Sequence, residues 1–197
     1  MEFFESLKIR RSNYNIDKNI LVSKEEVLDV IGNAVKYTPS AFNSESQRVM
    51  VLLNDNHDKL WEIVKQEIKK IVSEVDFKKS EDKINTFKSG YGTVLFFDDD
   101  LTTKSLIEKF PLYKENFKRW ATEQNGMLQS NVWVGLGTIG LGGSLQHYNE
   151  LIEETIKKEF KIDESWSLKA QMPFGNIVEV AQEKEKKDLD LRMIVLE

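Results

Sequence analysis

The chain has 197 residues, of which 40% are hydrophobic and 31% are charged, and its formal net charge is −5. This length and composition are typical of one compact globular domain, and they exclude a chain that stays disordered because it lacks apolar residues. The sequence contains no cysteine, which excludes disulfides, thiolate nucleophiles and thiolate metal sites and fits a reducing compartment. The acidic charge argues against a broad nucleic-acid-binding face, because such a face needs an excess of basic residues.

The organisation of the chain predicts a single domain over residues 1–197. No internal repeat and no linker rich in proline, glycine or serine offers a domain boundary. The first residues, MEFFESLKIRRS, include two acidic side chains and no long apolar run. We therefore expect neither a secretory signal nor a membrane-spanning helix, and a cytoplasmic location is the default prediction.

The first quarter of the chain predicts two helices and one strand. Residues 2–9 form a short helix with its apolar side chains on one side. Ser23 and Glu26 have the spacing of a capping box, and apolar residues at helical spacing extend the second helix to about Tyr37. The apolar, partly β-branched run 49–53 predicts a buried strand.

The middle of the chain predicts three helical stretches around a second strand. Residues 57–75 form the next predicted helix, and residues 93–97 form a buried strand. A partly aromatic helix is predicted over 105–120. Residues 126–139 are apolar nearly all round, which is typical of a central helix covered on both sides.

The last quarter predicts two further strands, at residues 168–172 and 193–196. A solvated charged run, residues 183–187, separates them. Helices therefore predominate in the predicted fold, with four or five strands interspersed.

The glycines at 135, 137 and 140 match the G-x-G-x-x-G pattern of dinucleotide-binding loops. That fingerprint requires a strand before the glycines and a helix after them. Residues 127–134 instead have a helical pattern, and too little chain follows 140 to build a nucleotide-binding domain. We therefore interpret these glycines as small residues that allow close helix packing.

The histidines and the aspartate run do not predict a metal site. His57 is expected at a surface helix start, and for His147 a structural and a functional role are equally compatible with the sequence. The run Asp98–Asp100 could hold a hard cation, but a solvated strand end is the favoured interpretation.

Three polar segments could bind a ligand. Arg10, Arg11 and Ser12 offer two guanidinium groups and a hydroxyl within three positions, which suits a phosphate monoester, although a solvated basic pair is the alternative. The loop 38–44 is rich in hydroxyl and amide groups. In the loop 140–144 consecutive glycines allow backbone amides to approach a planar ligand or an anion, and an ordinary helix C-terminal turn explains them equally well.

Taken in chain order, these segments resemble the nitroreductase-like family of FMN-dependent flavoproteins. The resemblance is closest to its small branch, described as fatty-acid-repression-mutant-like or copper-induced nitroreductases. The motifs that carry it cover nearly the whole chain: Arg10-Arg11-Ser12, residues 38–44 with Gln47, residues 90–97, Asn116-Phe117, residues 126–129, Val132-Trp133, residues 140–149 and residues 172–175.

The resemblance implies an α+β fold, a three-layer sandwich with a central, mainly antiparallel sheet flanked by helices. It implies an interlocked homodimer in which both chains hold each FMN. The implied activity is a ping-pong reaction: NAD(P)H reduces the flavin and leaves, and a nitroaromatic, quinone or similar electron-poor small molecule is then reduced in the same pocket. The alternative is a flavin-binding stress- or lipid-response regulatory protein in which turnover is incidental.

Site residues are transferred from the family by position. Those for the FMN phosphate are Arg10, Arg11, Ser12 and one basic residue among Lys186, Lys187 and Arg192, of which Arg192 is preferred. Those for the isoalloxazine ring are Pro39, Ser40, Ala41 and Asn43 of the partner chain, with Gln47, and the backbone of Leu141, Gly142, Gly143 and Ser144. For the acceptor pocket we predict Phe42, Asn116, Trp120 and Tyr148, for which aromatic core packing is the alternative. No side chain is assigned as catalytic, because flavin carries the redox chemistry itself.

Overall fold

The structure of the protein is a computed structural model that describes residues 2–197. The helices in this part of the chain are α1 (Phe3–Ile9), α2 (Lys24–Tyr37), α3 (Asp55–Lys69), α4 (Glu74–Lys88), α5 (Asp100–Lys109), α6 (Lys114–Thr138) and α7 (Asn149–Phe160). The strands are β1 (Ile16–Asp17), β2 (Gln47–Leu53), β3 (Gly92–Asp99), β4 (Leu141–Gly143) and β5 (Trp166–Ile177). No helix among the described residues is long and apolar enough to cross a membrane.

The five strands form one sheet in the order β1-β5-β3-β2, and β4 also pairs with β5. All these strand pairs are antiparallel. The central strand β3 runs opposite β2 from Gly92↔Leu53 to Asp98↔Gln47. It also pairs with β5, from Gly92↔Phe174 onwards. The predicted mainly antiparallel sheet is confirmed.

Helices cover both faces of the sheet, because β3 is apolar on both sides. Leu95 and Phe97 contribute to the hydrophobic cluster that contains residues of α3, α4 and α7. Val94 and Phe96, which alternate with them, contribute to the cluster that contains residues of α2 and α6. Successive strand residues point to opposite faces, so this alternation builds a helix–sheet–helix sandwich. The predicted α+β three-layer fold is confirmed.

The prediction for the second helix is largely correct. Helix α2 begins at Lys24 and ends at Tyr37, and the Ser23 hydroxyl accepts a hydrogen bond from the Glu26 amide at 3.1 Å. The single helix predicted over 57–75 is wrong, because two helices occupy this region. Chain reversal at residues 70–73 separates them, and the Ser73 hydroxyl caps α4.

Helix α6 differs from its prediction in length and in exposure. It runs unbroken for 25 residues, so the two predicted stretches 105–120 and 126–139 divide instead at the short 3₁₀ turn Pro111–Tyr113. Its C-terminal half buries Leu128, Val132 and Leu136 but leaves Met127 exposed. Within one chain the helix is therefore covered on one side, not all round.

Two predictions near the glycine-rich segment and the C terminus are corrected. Residues 141–143 form the strand β4 rather than a loop. The strand predicted over 193–196 is absent from the described residues, because residues 178–197 leave the sheet and contain one 3₁₀ turn, Leu189–Leu191. The glycines at 135 and 137 lie inside α6, which confirms that they do not follow a strand.

His57 lies at the start of α3, as predicted, but it is buried rather than at the surface. Its Nδ1 lies 2.8 Å from the Thr93 hydroxyl and its Nε2 lies 3.1 Å from the Lys88 carbonyl oxygen. The Trp61 indole N–H also donates to Thr93, at 3.0 Å. Burial lowers the pKa of His57 to about 4. His147, in contrast, is exposed.

The aspartate run at the end of β3 is not the solvated strand end that the sequence favours. Asp98 is buried and accepts hydrogen bonds from Ser46 and Thr103. Burial raises the pKa of Asp98, whereas the two hydroxyl donors lower it. Asp99 caps α5 by accepting from the Leu101 amide. Within residues 2–197 no group of acidic or histidine side chains has an arrangement that could hold a metal ion.

Candidate functional site

The first candidate site is a cleft of about 420 Å³ between the segment after α1 and the segment after β5. Residues 10–12 line one wall, and residues 181–184 and Lys186 line the other. The Arg11 guanidinium donates a hydrogen bond to the carbonyl of Gln182 and so joins the two walls. The first predicted phosphate-binding segment is therefore part of a cleft and does not lie on an open surface.

This cleft concentrates positive charge in an acidic protein. Four cationic side chains line it, Arg10, Arg11, Lys184 and Lys186, against one carboxylate, Glu183. Within residues 2–197 none of the four forms an ion pair. Unpaired guanidinium and ammonium groups around one concavity attract and hold an anion. The residues present fit a phosphate group.

Strand β4 lies directly beside the cleft. Ser12 forms a parallel bridge with Gly143, whose carbonyl accepts from the Asn13 amide at 3.0 Å and from the Trp133 indole at 3.1 Å. The Arg10 guanidinium lies over the Trp133 ring, 4.4 Å from its centroid. The structure thus brings two predicted segments together, residues 10–12 and residues 141–144.

Close packing explains why glycine occupies both positions in β4, independently of any ligand. A Cβ at Gly142 would lie 2.7 Å from the Ile177 side chain and 2.8 Å from Asn13. A Cβ at Gly143 would lie 2.9 Å from the Pro173 carbonyl oxygen. Both positions therefore exclude larger residues because β4 approaches its neighbours closely.

The second candidate site is a cleft of about 450 Å³ formed by the loop after α2 and the side of α6. The loop contributes residues 39–42, and α6 contributes Trp120, Glu123, Gln124 and Met127. The two clefts have no lining residue in common. The residues predicted for the phosphate and those predicted to cover the ring therefore lie in different clefts of the chain.

The backbone of this loop is strained. Phe42, Asn43 and Glu45 have φ angles of 56°, 50° and 48°. Residues other than glycine enter this left-handed region at a cost, which is larger for a bulky side chain such as phenylalanine. Asn43 and Glu45 hydrogen-bond to each other at 3.0 Å, and the Glu45 amide donates to the Ser40 hydroxyl at 2.9 Å. Side-chain bonds thus hold a conformation that the backbone alone disfavours.

Phe42 is half exposed and packs on an aromatic cluster at the start of α6. Its ring stacks on Trp120 with centroids 6.2 Å apart, and it meets Phe110 at 5.1 Å and Phe117 at 5.2 Å. Tyr113 completes the cluster. Phe42 and Trp120 of this cluster line the second cleft, and their aromatic faces suit a flat apolar ligand.

The other predicted site residues lie elsewhere. Asn116 is on α6 and accepts a weak bond from Arg119 at 3.4 Å, but it does not line the second cleft. Tyr148 packs edge-on against Trp61 at 6.3 Å, in the cluster of α3, α4 and α7. Arg192, the preferred C-terminal phosphate ligand, does not line the first cleft of its own chain, whereas Lys186 does.

Residues 7–176 match the family model described as the nitroreductase family. The chain belongs to the nitroreductase family. Among curated relatives, the putative nitroreductase HBN1 of Saccharomyces cerevisiae is 33% identical over 175 residues, which cover 88% of this chain and 86% of the relative. The fold and the family together identify a nitroreductase-like oxidoreductase.

Solved structures of nitroreductases share this fold over most or all of the chain. Nitroreductase CinD from Lactococcus lactis in complex with chloramphenicol is 41% identical, with a TM-score of 0.92 and complete coverage of both chains. A nitroreductase from Saccharomyces cerevisiae is 26% identical, with a TM-score of 0.78, and the match covers 91% of this chain and 98% of that one. The resemblance to the nitroreductase family is confirmed.

Some residues around the two candidate clefts were missed from the sequence. The aromatic residues at 110, 113 and 117 recur at helical spacing with the predicted Trp120, a pattern that could have predicted the rest of this aromatic face before the structure was known. Gln124 has no such pattern, because its contacts are with residues some eighty positions away. Lys184 lies in a charged run that the sequence indicates is solvated, and only the return of the C-terminal segment brings it to Arg10.

Proposed function

We propose that this chain is an FMN-dependent oxidoreductase that uses NAD(P)H to reduce nitroaromatics, quinones or similar electron-poor small molecules. The observation that carries the proposal is the cluster of four unpaired cations around one cleft, beside the glycine strand β4. FMN ends in a phosphate, and charge-assisted bonds from Arg10, Arg11 and Ser12 would hold it. Lys186 lines the cleft and would take the role first given to Arg192, unless a partner chain brings its Arg192 there.

The planar part of the cofactor would extend along β4. There the amides and carbonyls of residues 141–144 would orient the ring, with Ser144 held by Gln146 at 3.1 Å. FMN, when bound, supplies a ring that accepts a hydride and passes electrons on, so the protein needs only to bind, orient and tune it. The loop residues Pro39, Ser40, Ala41 and Asn43, with Gln47 behind them, would cover the ring edge.

We further propose a homodimer in which each loop serves the partner's flavin. Large apolar side chains are exposed in the single chain on α1, at Met127 of α6, and along residues 178–196. Leu196 is 91% exposed and Phe4 is 70% exposed. Exposed apolar residues on this scale indicate an interface. A chain with both this interface and two separate half-sites would complete each site by dimerisation.

The acceptor would bind in the second cleft, against Phe42 and Trp120. CinD from Lactococcus lactis has been solved in complex with 4-nitrophenol as well as with chloramphenicol. Chloramphenicol and 4-nitrophenol are small molecules with flat aromatic rings, which match the aromatic lining of the cleft here. NAD(P)H would use the same pocket first and leave, which is the ping-pong order. The cytoplasmic location stays a prediction.

Reconstitution and turnover test this proposal. The purified chain, incubated with FMN and freed of excess, is expected to absorb near ~450 nm and to oxidise NADH or NADPH when 4-nitrophenol or a quinone is present. A chain that takes up no flavin would overturn the cofactor assignment. A bound flavin that stays oxidised in excess NADH and NADPH would instead support the regulatory alternative.

A further inference from the structure

Gln124 is a buried amide that contacts the strained loop from α6. It is 3% exposed, and its Oε1 accepts a hydrogen bond from the backbone amide of Ala41 at 2.9 Å. Its Nε2 donates to the Ser46 hydroxyl at 2.7 Å. Its backbone carbonyl accepts from the Gln47 side chain at 3.4 Å. One residue therefore bonds to Ala41 inside the loop and to Ser46 and Gln47 directly after it.

The bond to Ser46 continues into the sheet. The Ser46 hydroxyl donates to Asp98 at 2.6 Å, and the other carboxylate oxygen of Asp98 accepts from Thr103 at 3.1 Å. Asp98 ends the buried part of β3, and Thr103 belongs to α5. The series Ala41–Gln124–Ser46–Asp98 thus links the loop to the central strand through one partly buried and two buried hydrogen bonds.

These bonds lie on both sides of the strained residues. Ala41 precedes Phe42 and Asn43, and Ser46 follows Glu45, the last residue with a positive φ. A backbone in this region relaxes to a more favourable conformation unless neighbouring contacts hold it. Gln124 provides the contacts on both sides. The orientation of its side-chain amide is fixed, because its oxygen accepts from one group and its nitrogen donates to another.

We propose that Gln124 is a positioning residue for flavin binding: it holds the loop 39–45 in the conformation that covers the isoalloxazine ring. This inference rests on the proposed FMN site and adds a role for a residue that has no contact with the phosphate cleft. Gln124 acts through Ala41 and Ser46 and does not itself take part in the redox chemistry. Its removal therefore affects the ring end of the cofactor and leaves the phosphate end unchanged.

The test compares FMN with riboflavin, which has the ring but no phosphate. Gln124→Leu keeps the volume of the side chain and removes its hydrogen bonds, and it is expected to raise the dissociation constants of FMN and riboflavin by the same factor, about tenfold. Ser46→Ala breaks the link to Asp98 while the Ala41 bond remains, and it is expected to give a smaller increase of both. Gln129→Leu is the matched control on α6, since within residues 2–197 the Gln129 side chain bonds only to Asn125 of the same helix.

Hydrogen exchange of the flavin-free protein supplies a second readout. The amides of Ala41 and Glu45 are expected to exchange faster in Gln124→Leu than in the wild type, with β3 unchanged. Unchanged exchange of the loop, or weaker binding of FMN with unaltered riboflavin binding, would overturn the inference. If Gln124→Leu does not fold, Ser46→Ala decides by the same two measurements. A wild-type chain that binds neither flavin would refute the proposed function, a result distinct from a loop that Gln124 fails to hold.

Discussion

The buried histidine network makes stability depend on pH in a way that one substitution can isolate. The Lys88 carbonyl can only accept a hydrogen bond, so Nε2 of His57 carries the proton and donates to it. Nδ1 then accepts from the Thr93 hydroxyl, whose oxygen accepts from Trp61. A second proton on His57 would leave the Thr93 hydroxyl hydrogen without its acceptor and would place a charge in the core. The neutral imidazole is therefore the form that folding selects.

The magnitude follows from the two pKa values. His57 has a pKa of about 4 in the folded chain, against an ordinary value of 6.5. Between pH 4 and pH 6.5 His57 binds a proton in the unfolded chain but not in the folded chain. The free energy of unfolding therefore decreases as the pH falls from 6.5 towards 4, and the full contribution of His57 to stability is present above pH 6.5. At about 1.4 kcal/mol per pH unit, the contribution of His57 to this loss is about 3 kcal/mol.

Urea unfolding of the wild type, His57→Gln and His147→Gln at pH 7.5, 6, 5 and 4.5 measures this contribution. His57→Gln is expected to have a lower free energy of unfolding than the wild type at pH 7.5. Because glutamine at 57 cannot titrate, this free energy is expected to decrease much less than that of the wild type between pH 7.5 and pH 4.5. His147 is exposed, so His147→Gln is the matched control for the loss of one histidine. Carboxylates contribute equally to all three curves. A His57→Gln slope equal to that of the wild type would refute the assignment of the neutral form.

Three further predictions concern the phosphate cleft, the sheet and a helix cap. Arg10→Ala is expected to weaken FMN binding by about 1.5–3 kcal/mol in a fluorescence titration, with Lys8→Ala as the exposed control; equal affinities would exclude Arg10 from the site. Gly175→Ala places a Cβ against the Asp17 carbonyl oxygen, and the free energy of unfolding in urea is expected to fall by about 1–3 kcal/mol, whereas an unchanged midpoint would contradict this packing. Ser23→Ala is expected to cost about 0.5–2 kcal/mol by the same assay, and no cost would exclude the cap.

The elements that could be predicted from the sequence are those whose determinants are local. The cap at Ser23 and the periodicity behind it correctly give α2, and the apolar runs give β2 and β3. The division between α3 and α4 was missed because residues 57–75 contain neither glycine nor proline. A serine cap inside a helical pattern was the available indication, since serine favours caps over helix interiors.

Burial of polar residues was the less predictable property, because it depends on distant partners. His57 follows a polar turn in the sequence and Asp98 is followed by two more aspartates, so both were expected at the surface. Both are buried in the fold. Their partners, Thr93 and Ser46, are 36 and 52 positions away. A polar side chain can be buried when the fold provides hydrogen-bond partners for it, and the local sequence does not show whether such partners are present.

In the candidate site, too, the types of residue were easier to predict than the contacts that position them. The types of residue needed for a phosphate and for a flat ring could be recognised from Arg10–Ser12 and the glycines at 142–143, whereas the residues that hold the loop could not. Phe42, Asn43 and Glu45 have a backbone conformation that is disfavoured on its own, and it is held by bonds inside the loop and by a contact from outside it. Gln124 is that outside contact, and it follows that substitutions on α6 can change the loop without altering any loop residue.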